Sequence, residues 1–278
     1  MEIIKSAINM RSARCRLTSP VALVPTLGAL HSGHEALLRH AKAQAGSVVA
    51  SLFINPTQFG SGEDYETYPA DREADLAFLT KHGSDIVFAP DVDEMYQIGE
   101  STRVDPGPIA HVLEGKYRPG HLLGVATIVS KLFAIIRPDT AFFGEKDAQQ
   151  LVIVKQIAKD LGFGVKVIPV ATIRESDGLA ISSRNQYLGP DDRQAAVVLF
   201  SALGKARSLW ESGKHEPEIL RQQVRKVIAA ESRAKLEYVS VADPMSLREI
   251  DHVQESVLIS LAAFVGRTRL IDNLTLTS

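Results

Sequence analysis

Short, almost uncharged apolar runs alternate with stretches of helical periodicity over the first two thirds of the chain, and this alternation constrains the fold more than any other feature. Val21–Pro25, Gly46–Ile54, Asp85–Ala89, Thr140–Phe143 and Gly164–Val170 read as strands. Helical patterns cover about Gly33–Ala45, Asp71–His82, Val125–Ile136 and about Lys146–Leu161. Runs that are apolar along their length suit strands buried on both faces. With helices between them they imply an α/β fold built on a doubly wound parallel sheet.

Beyond Ile173 the texture changes. A polar loop carrying Glu175-Ser176-Asp177-Gly178 and Ser182-Ser183-Arg184-Asn185 leads to two amphipathic helices, about Asp191–Ser212 and Glu216–Ala230. Leu236–Val241, Ser256–Val265 and Thr268–Ile271 then read as strands of a small sheet. The 278 residues are long for one domain, so we expect two: residues 1–173, and a smaller C-terminal α+β domain over 174–278.

Composition narrows the function classes. A formal net charge of -2 offers no basic stripe for a nucleic-acid backbone, although a local basic pocket for one nucleotide is compatible with it. Cys15 is the only cysteine, which precludes an internal disulfide and fits a reducing compartment. The first twenty residues lack a secretory apolar core, and no stretch approaches the roughly 18 uncharged apolar residues of a membrane span. A cytoplasmic enzyme without membrane or nucleic-acid partners is expected.

The turn after the first long strand carries the chemistry. Pro25-Thr26-Leu27-Gly28-Ala29-Leu30-His31-Ser32-Gly33-His34 joins that strand to the first long helix. Ligands of such sheets gather beyond the carboxyl ends of the strands, and a helix start offers N–H groups to phosphate. The spacing from Gly28 to Gly33 is that of a P-loop, but His34 stands where that loop needs lysine, and no Ser or Thr follows. What remains is His-x-Gly-His. His31 and His34 project to one side of a starting helix, where imidazoles can donate to phosphate oxygens. Zinc is a weaker reading, because His31, His34 and Cys15 lack a second ligand pair.

Four further stretches carry groups suited to a small hydroxy acid and a triphosphate. In Phe53–Gly60, Pro56 closes a strand, and Asn55 and Gln58 bring amides that both donate and accept. Arg118-Pro119-Gly120-His121 is followed by Gly124-Val125. Next come Gly144-Glu145-Lys146-Asp147-Ala148-Gln149-Gln150, with Lys146 and Asp147 opening a helix. Asp177–Asn185 combines hydroxyls and a guanidinium beside a glycine, a composition suited to clamping phosphate. Taken singly, each could be an ordinary turn, a helix-start charge or a polar hinge.

Together, in this order, they resemble the pantothenate synthetase family, a branch of the His-x-Gly-His nucleotidyl-transferring enzymes. The resemblance runs from about Val21 to Asn273, including Arg269-Leu270-Ile271-Asp272-Asn273. It implies a Rossmann-like core, and an enzyme that spends ATP with Mg²⁺ to join pantoate to β-alanine through an adenylate, working as a homodimer. By the same resemblance Leu27, Gly28, His31, Gly33, His34, Gly144, Glu145, Lys146, Asp147, Ile173, Ile181, Ser182, Ser183 and Arg184 meet ATP. Of these, His34, His31, Lys146 and Arg184 are the catalytic candidates. Gln58, Gln150 and Asn55 would hold pantoate, and the 174–278 domain would act as a lid. Asp75 is a candidate Mg²⁺ ligand or, alternatively, a surface helix carboxylate.

The sequence departs from the family pattern at Leu27 and Ile181, where methionine is usual, and at Ala148, usually aromatic. Ala70-Asp71 also interrupts the usual Tyr-Pro-Arg-Thr. Two alternatives share parts of the signature: a transferase that stops after nucleotide transfer, and a non-catalytic nucleotide sensor or RNA-binding module on the same core.

Overall fold

The computed structural model describes residues 1–252 and 254–277. The chain divides into two compact units, residues 1–145 with 149–171, and residues 146–148 with 172–278. The sequence suggests a single crossing after residue 173. In the structure the short 146–148 turn also groups with the C-terminal residues.

The N-terminal unit runs β1 (Glu2–Ile4), α1 (Ala7–Arg14), β2 (Val21–Thr26), α2 (Ser32–Gln44), β3 (Ser47–Leu52), α3 (Arg72–Lys81), β4 (Ile86–Phe88), α4 (Val92–Met95), α5 (Glu114–Tyr117), α6 (His121–Ile136), β5 (Thr140–Gly144), α7 (Ala148–Asp160) and β6 (Lys166–Val170). The strands form one sheet in the order β1-β4-β3-β2-β5-β6, every pair parallel. This is the doubly wound sheet the alternation implies. All of β3 and all of β2 except Pro25 are buried, as strands covered on both faces must be. The largely apolar sequence of α6, interrupted by Thr127, Ser130 and Lys131, has the same cause: twelve of its sixteen residues are buried, so it has almost no solvent face. Fully buried Phe88, Phe133 and Phe142 anchor the core, each contributing on the order of 1.5–3 kcal/mol. Helix α1 is not legible as a periodic segment. Ser6 caps it by accepting from Asn9 N, and only Met10 and Ala13 are buried.

The C-terminal unit holds α8 (Pro190–Ala195), α9 (Val198–Glu211), α10 (Pro217–Ala229) and an antiparallel sheet of β7 (Ala234–Ala242), β8 (Ser256–Val265) and β9 (Thr268–Thr277) in that order. Helix α10 shows the expected amphipathic spacing, with Leu220, Val224 and Ile228 buried. Two expectations are corrected. The helix read over Asp191–Ser212 is two helices, because the backbone tightens at Ala196-Val197, where Leu199 N bonds to Ala196 O. The last strand continues past Ile271 to Thr277, its polar residues paired along the whole length of β8. Among the described residues no helix is long and apolar enough to cross a membrane.

Candidate active site

The sheet order reverses beside β2. The chain leaves β2 for β3 on one side, whereas its other neighbour, β5, comes much later. The carboxyl ends of β2 and β5 therefore flank the switch point, where ligands of open α/β sheets bind. After β2 comes the Leu27–His34 turn, and at the end of β5 lie half-buried Gly144 and exposed Glu145.

The turn is built around a buried carboxylate. Asp75 on α3 is 3% exposed and accepts hydrogen bonds from Ala29 N (2.9 Å, Oδ2) and Leu30 N (2.8 Å, Oδ1). Ala29 holds a positive φ of 53°, a left-handed conformation that costs a residue with a side chain on the order of 1 kcal/mol. Gly28 precedes it at φ 104°, and a Cβ there would stand 2.8 Å from Asp75 Oδ2. Only glycine meets both demands. Burial raises the Asp75 carboxyl above its ordinary 3.8, and the two backbone N–H groups offset this only in part. The metal role suggested for Asp75 does not fit this geometry, nor is it a surface carboxylate: both oxygens are committed to the turn. Among the described residues no group of three or more His, Cys, Asp or Glu side chains is arranged to hold a metal ion.

His31 and His34 cap α2 reciprocally. His31 Nδ1 accepts from Gly33 N (3.1 Å), and His34 Nδ1 accepts from His31 N (3.2 Å). This is a capping box made with imidazoles in place of the usual Ser and Glu. Because each Nδ1 accepts, each neutral ring carries its proton on Nε2, the nitrogen that can donate. The rings lie side by side with centroids 4.2 Å apart, both half-buried at the positive end of the helix. Leu27 is half-buried and Gly33 lies within the first turn.

After β3, a short 3₁₀ turn over Pro56–Gln58 brings Asn55 and Gln58 together. Asn55 is 0% exposed and fully used. Its Nδ2 donates to Gln58 Oε1 and Gly124 O, both at 3.2 Å, and its Oδ1 accepts from Tyr96 OH (2.8 Å) and Thr57 Oγ1 (3.0 Å). The direct substrate contact expected of Asn55 does not fit this arrangement, which leaves it no capacity for one. It fixes Gln58 instead: with Oε1 occupied, the Gln58 amide nitrogen is the end able to donate to a ligand. Gly124 of α6 permits this packing, since a Cβ there would run into the Thr57 carbonyl.

The backbone of Gln58 is held from a second direction. His121 Nδ1 donates to Gln58 O (2.8 Å), and Arg118 Nη2 reaches the same oxygen at 3.5 Å. Arg118 also forks onto Glu63, with both bonds at 2.7 Å. Burial alone would raise the Glu63 carboxyl, but the hydrogen bond and charge of Arg118 outweigh it and hold the group at about 2. Burial first, then the Arg118 charge, brings His121 down to about 4, so the ring is neutral at pH 7. On α7, Gln149 is buried. Its amide donates to Ile109 O and Val112 O and accepts from Glu114 N, which ties down the 109–114 segment. Gln150 beside it is half-buried. Asp71, one of the departures from the family pattern, N-caps α3 by accepting from Glu73 N and Ala74 N, the service a threonine would give.

In the C-terminal unit, Lys146 lies in a 3₁₀ turn, with Nζ 3.6 Å from Asp147 Oδ1. Ile181 N bonds to Ile173 O, closing the base of the loop that carries Ser182–Arg184. Ser182 caps the next 3₁₀ turn through Arg184 N (3.3 Å), and Ser183 is buried. The sequence marked the segments containing Gly124, Arg118, His121 and Asp272 without assigning them roles. It held no sign of Tyr96, Glu63 or Arg174, which act across long sequence separations.

A parallel sheet with a helix start of two imidazoles at its switch point is the arrangement of an α/β protein that binds a phosphorylated ligand there. Comparison with known proteins specifies the family. The family described as pantoate-beta-alanine ligase matches residues 2–275. The pantothenate synthetase of Roseiflexus sp. (strain RS-1) is 48% identical over 99% of both chains, and that of Herpetosiphon aurantiacus is 46% identical over 99% of this chain and all of its own. A crystal structure of pantothenate synthetase from Thermus thermophilus superposes with a TM-score of 0.93 at 42% identity, covering 99% of each chain. A pantoate-beta-alanine ligase from Francisella tularensis, complexed with beta-gamma ATP and beta-alanine, superposes at 0.81 with 34% identity, covering 99% of this chain and 97% of its own. The chain belongs to the pantoate–β-alanine ligase family.

Proposed function

We propose that this chain condenses pantoate with β-alanine at the expense of ATP, through a pantoyl-adenylate intermediate. A carboxylate is a poor acyl donor because its leaving group would be oxide, and adenylation replaces that leaving group with AMP. A carboxylate oxygen of pantoate attacks the α-phosphorus, and the bond to pyrophosphate breaks. The neutral amine of β-alanine then attacks the acyl carbon, the bond to AMP breaks, and the nitrogen gives up a proton. The products are pantothenate, AMP and pyrophosphate.

The observation that carries this reading is the family match over nearly the whole chain. The His31–His34 pair supports its first step: two Nε2–H donors at a helix N-terminus suit the charge that builds on the leaving phosphates. His34 serves as the principal donor, seconded by His31, Lys146 and Arg184. Leu27, Gly28, Gly33, Gly144, Glu145, Asp147, Ile173, Ile181, Ser182 and Ser183 complete the ATP contacts. Gln58 and Gln150 orient pantoate, and Asn55 acts through Gln58. Positioning of this kind is worth roughly 7–11 kcal/mol in well-arranged systems. Magnesium enters as part of the nucleotide substrate, held by phosphate oxygens and water. By family resemblance the enzyme is a cytoplasmic homodimer.

The test is a coupled assay with ATP, Mg²⁺, pantoate and β-alanine. AMP should accumulate with pantothenate in equal amounts, and only when the amine is present. AMP formation that does not depend on β-alanine, or no turnover with any acid and amine, refutes the assignment.

A further inference from the structure

Arg174 opens the loop that leads to Ser182–Arg184, and its guanidinium is held on every side. Nη1 and Nη2 fork onto Asp272 at 2.6 and 2.8 Å, Nη1 also donates to Gly178 O (3.1 Å), and Nη2 reaches Asn273 O (3.4 Å). Its Cζ lies 4.5 Å from the Phe200 ring centroid. Asp272 is 3% exposed. A buried, bidentate pair of this kind is geometrically demanding and is a poor source of net stability compared with apolar packing. What it does supply is a fixed orientation. Here it sets the base of a tight turn in which Arg174 bridges Ala180, Glu175 N bonds to Leu179 O, and Gly178 N bonds to Glu175 O.

The next residue of β9 holds a second segment. Asn273 Nδ2 donates to Lys146 O at 2.8 Å, and Asn273 N donates to Asp272 Oδ1 at 2.8 Å. One dipeptide thus grips both the base of the Ser182–Arg184 loop and the main chain of Lys146, stretches that are far apart in sequence. Residues 146–148 group with the C-terminal unit, to which Asn273 belongs. We propose that Asp272 and Asn273 are positioning residues that hold the Lys146 turn and the Ser182–Arg184 loop as one rigid anion-binding piece. The proposal rests on the reading of those two segments as contacts to the ATP phosphates.

The full-length Asn273→Ala variant tests it, assayed beside Lys146→Ala and the double variant, with thermal unfolding of all three. Loss of one hydrogen bond to a positioned main chain should raise KM for ATP about five- to tenfold. The KM values for pantoate and β-alanine should stay within about twofold. Added to Lys146→Ala, the Asn273 change should have little further effect, because Asn273 acts through Lys146. A deficient Lys146→Ala alongside an Asn273→Ala whose ATP KM is normal overturns the proposal alone, as do effects that add in the double variant. A Lys146→Ala enzyme with normal ATP kinetics instead refutes the phosphate role of Lys146, and the proposal with it.

Discussion

Replacing Asp75 with asparagine changes little in volume and nothing at the surface, yet it should disable the nucleotide turn. The carboxylate accepts from two backbone N–H groups, at 2.8 and 2.9 Å. An asparagine can accept one of them and must turn its own NH₂ toward the other. One charge-assisted bond, worth about 1.5–3 kcal/mol, is lost, and a buried N–H is left facing a donor. The combined local penalty is roughly 2–4 kcal/mol, and it falls on a turn where Ala29 already sits at φ 53°. The turn should relax and carry the start of α2, with His31 and His34, out of place. Expressed in the transition state, that penalty lowers kcat/KM by about thirtyfold to several hundredfold. Global stability should fall by less than this local penalty, because the amide also removes the ionisation cost of a buried carboxyl. Burial raises the folded carboxyl above 3.8, so its contribution is present below 3.8 and is lost as pH rises through the folded value. At neutral pH the ionised group is therefore a cost, which the amide relieves. Steady-state pyrophosphate release, measured with thermal unfolding, should show activity lost by a far larger factor than the small fall in Tm explains. Adding Ala29→Gly should recover part of the activity by removing the strain. An Asp75→Asn enzyme within about twofold of the original in kcat/KM would refute the clamp.

His34→Ala should cut pantoate-dependent pyrophosphate release by orders of magnitude, and near-normal turnover in that assay would remove His34 from its role. Tyr96→Phe withdraws the hydroxyl that donates to Asn55, so KM for pantoate should rise several-fold with KM for ATP unchanged; equal changes in both would contradict the orienting relay. His121 and Glu63 both have folded values below their ordinary ones, so the unfolded chain binds more protons and stability falls with pH. The His121 contribution is present above 6.5 and is lost toward about 4, and that of Glu63 is present above 4.5 and is lost toward about 2. Urea midpoints should decline from pH 6.5 to 4, and Glu63→Gln should flatten the further decline below 4.5; a flat profile would count against both.

The sheet was legible because burial on two faces writes itself as contiguous apolar residues, as in Val21–Pro25 and Ser47–Leu52. The His-x-Gly-His turn was legible because its parts are adjacent in sequence. What the sequence withheld were polar groups whose meaning depends on a distant partner. Asp75 looks like any carboxylate in a helix's first turn until Ala29 N and Leu30 N arrive from the far end of β2. Asn55 reads as a ligand because an asparagine beside a glutamine has so much bonding capacity. Only the approach of Tyr96 and Gly124 shows that capacity to be spent. The long helix read through Ala196 failed for a local reason, since apolar periodicity continues across the tightened turn at Ala196-Val197.

The mutual latch between the two imidazoles has a bearing on how kinetics at either position are interpreted. Each ring secures a main-chain N–H in the other's neighbourhood, so deleting one also unfastens its companion and frays the start of the helix. An alanine at either place is in effect a two-site lesion, and the sum of two single deletions should exceed the loss in the variant lacking both. The two histidines are one component, and evolution would be expected to keep or discard them as a pair.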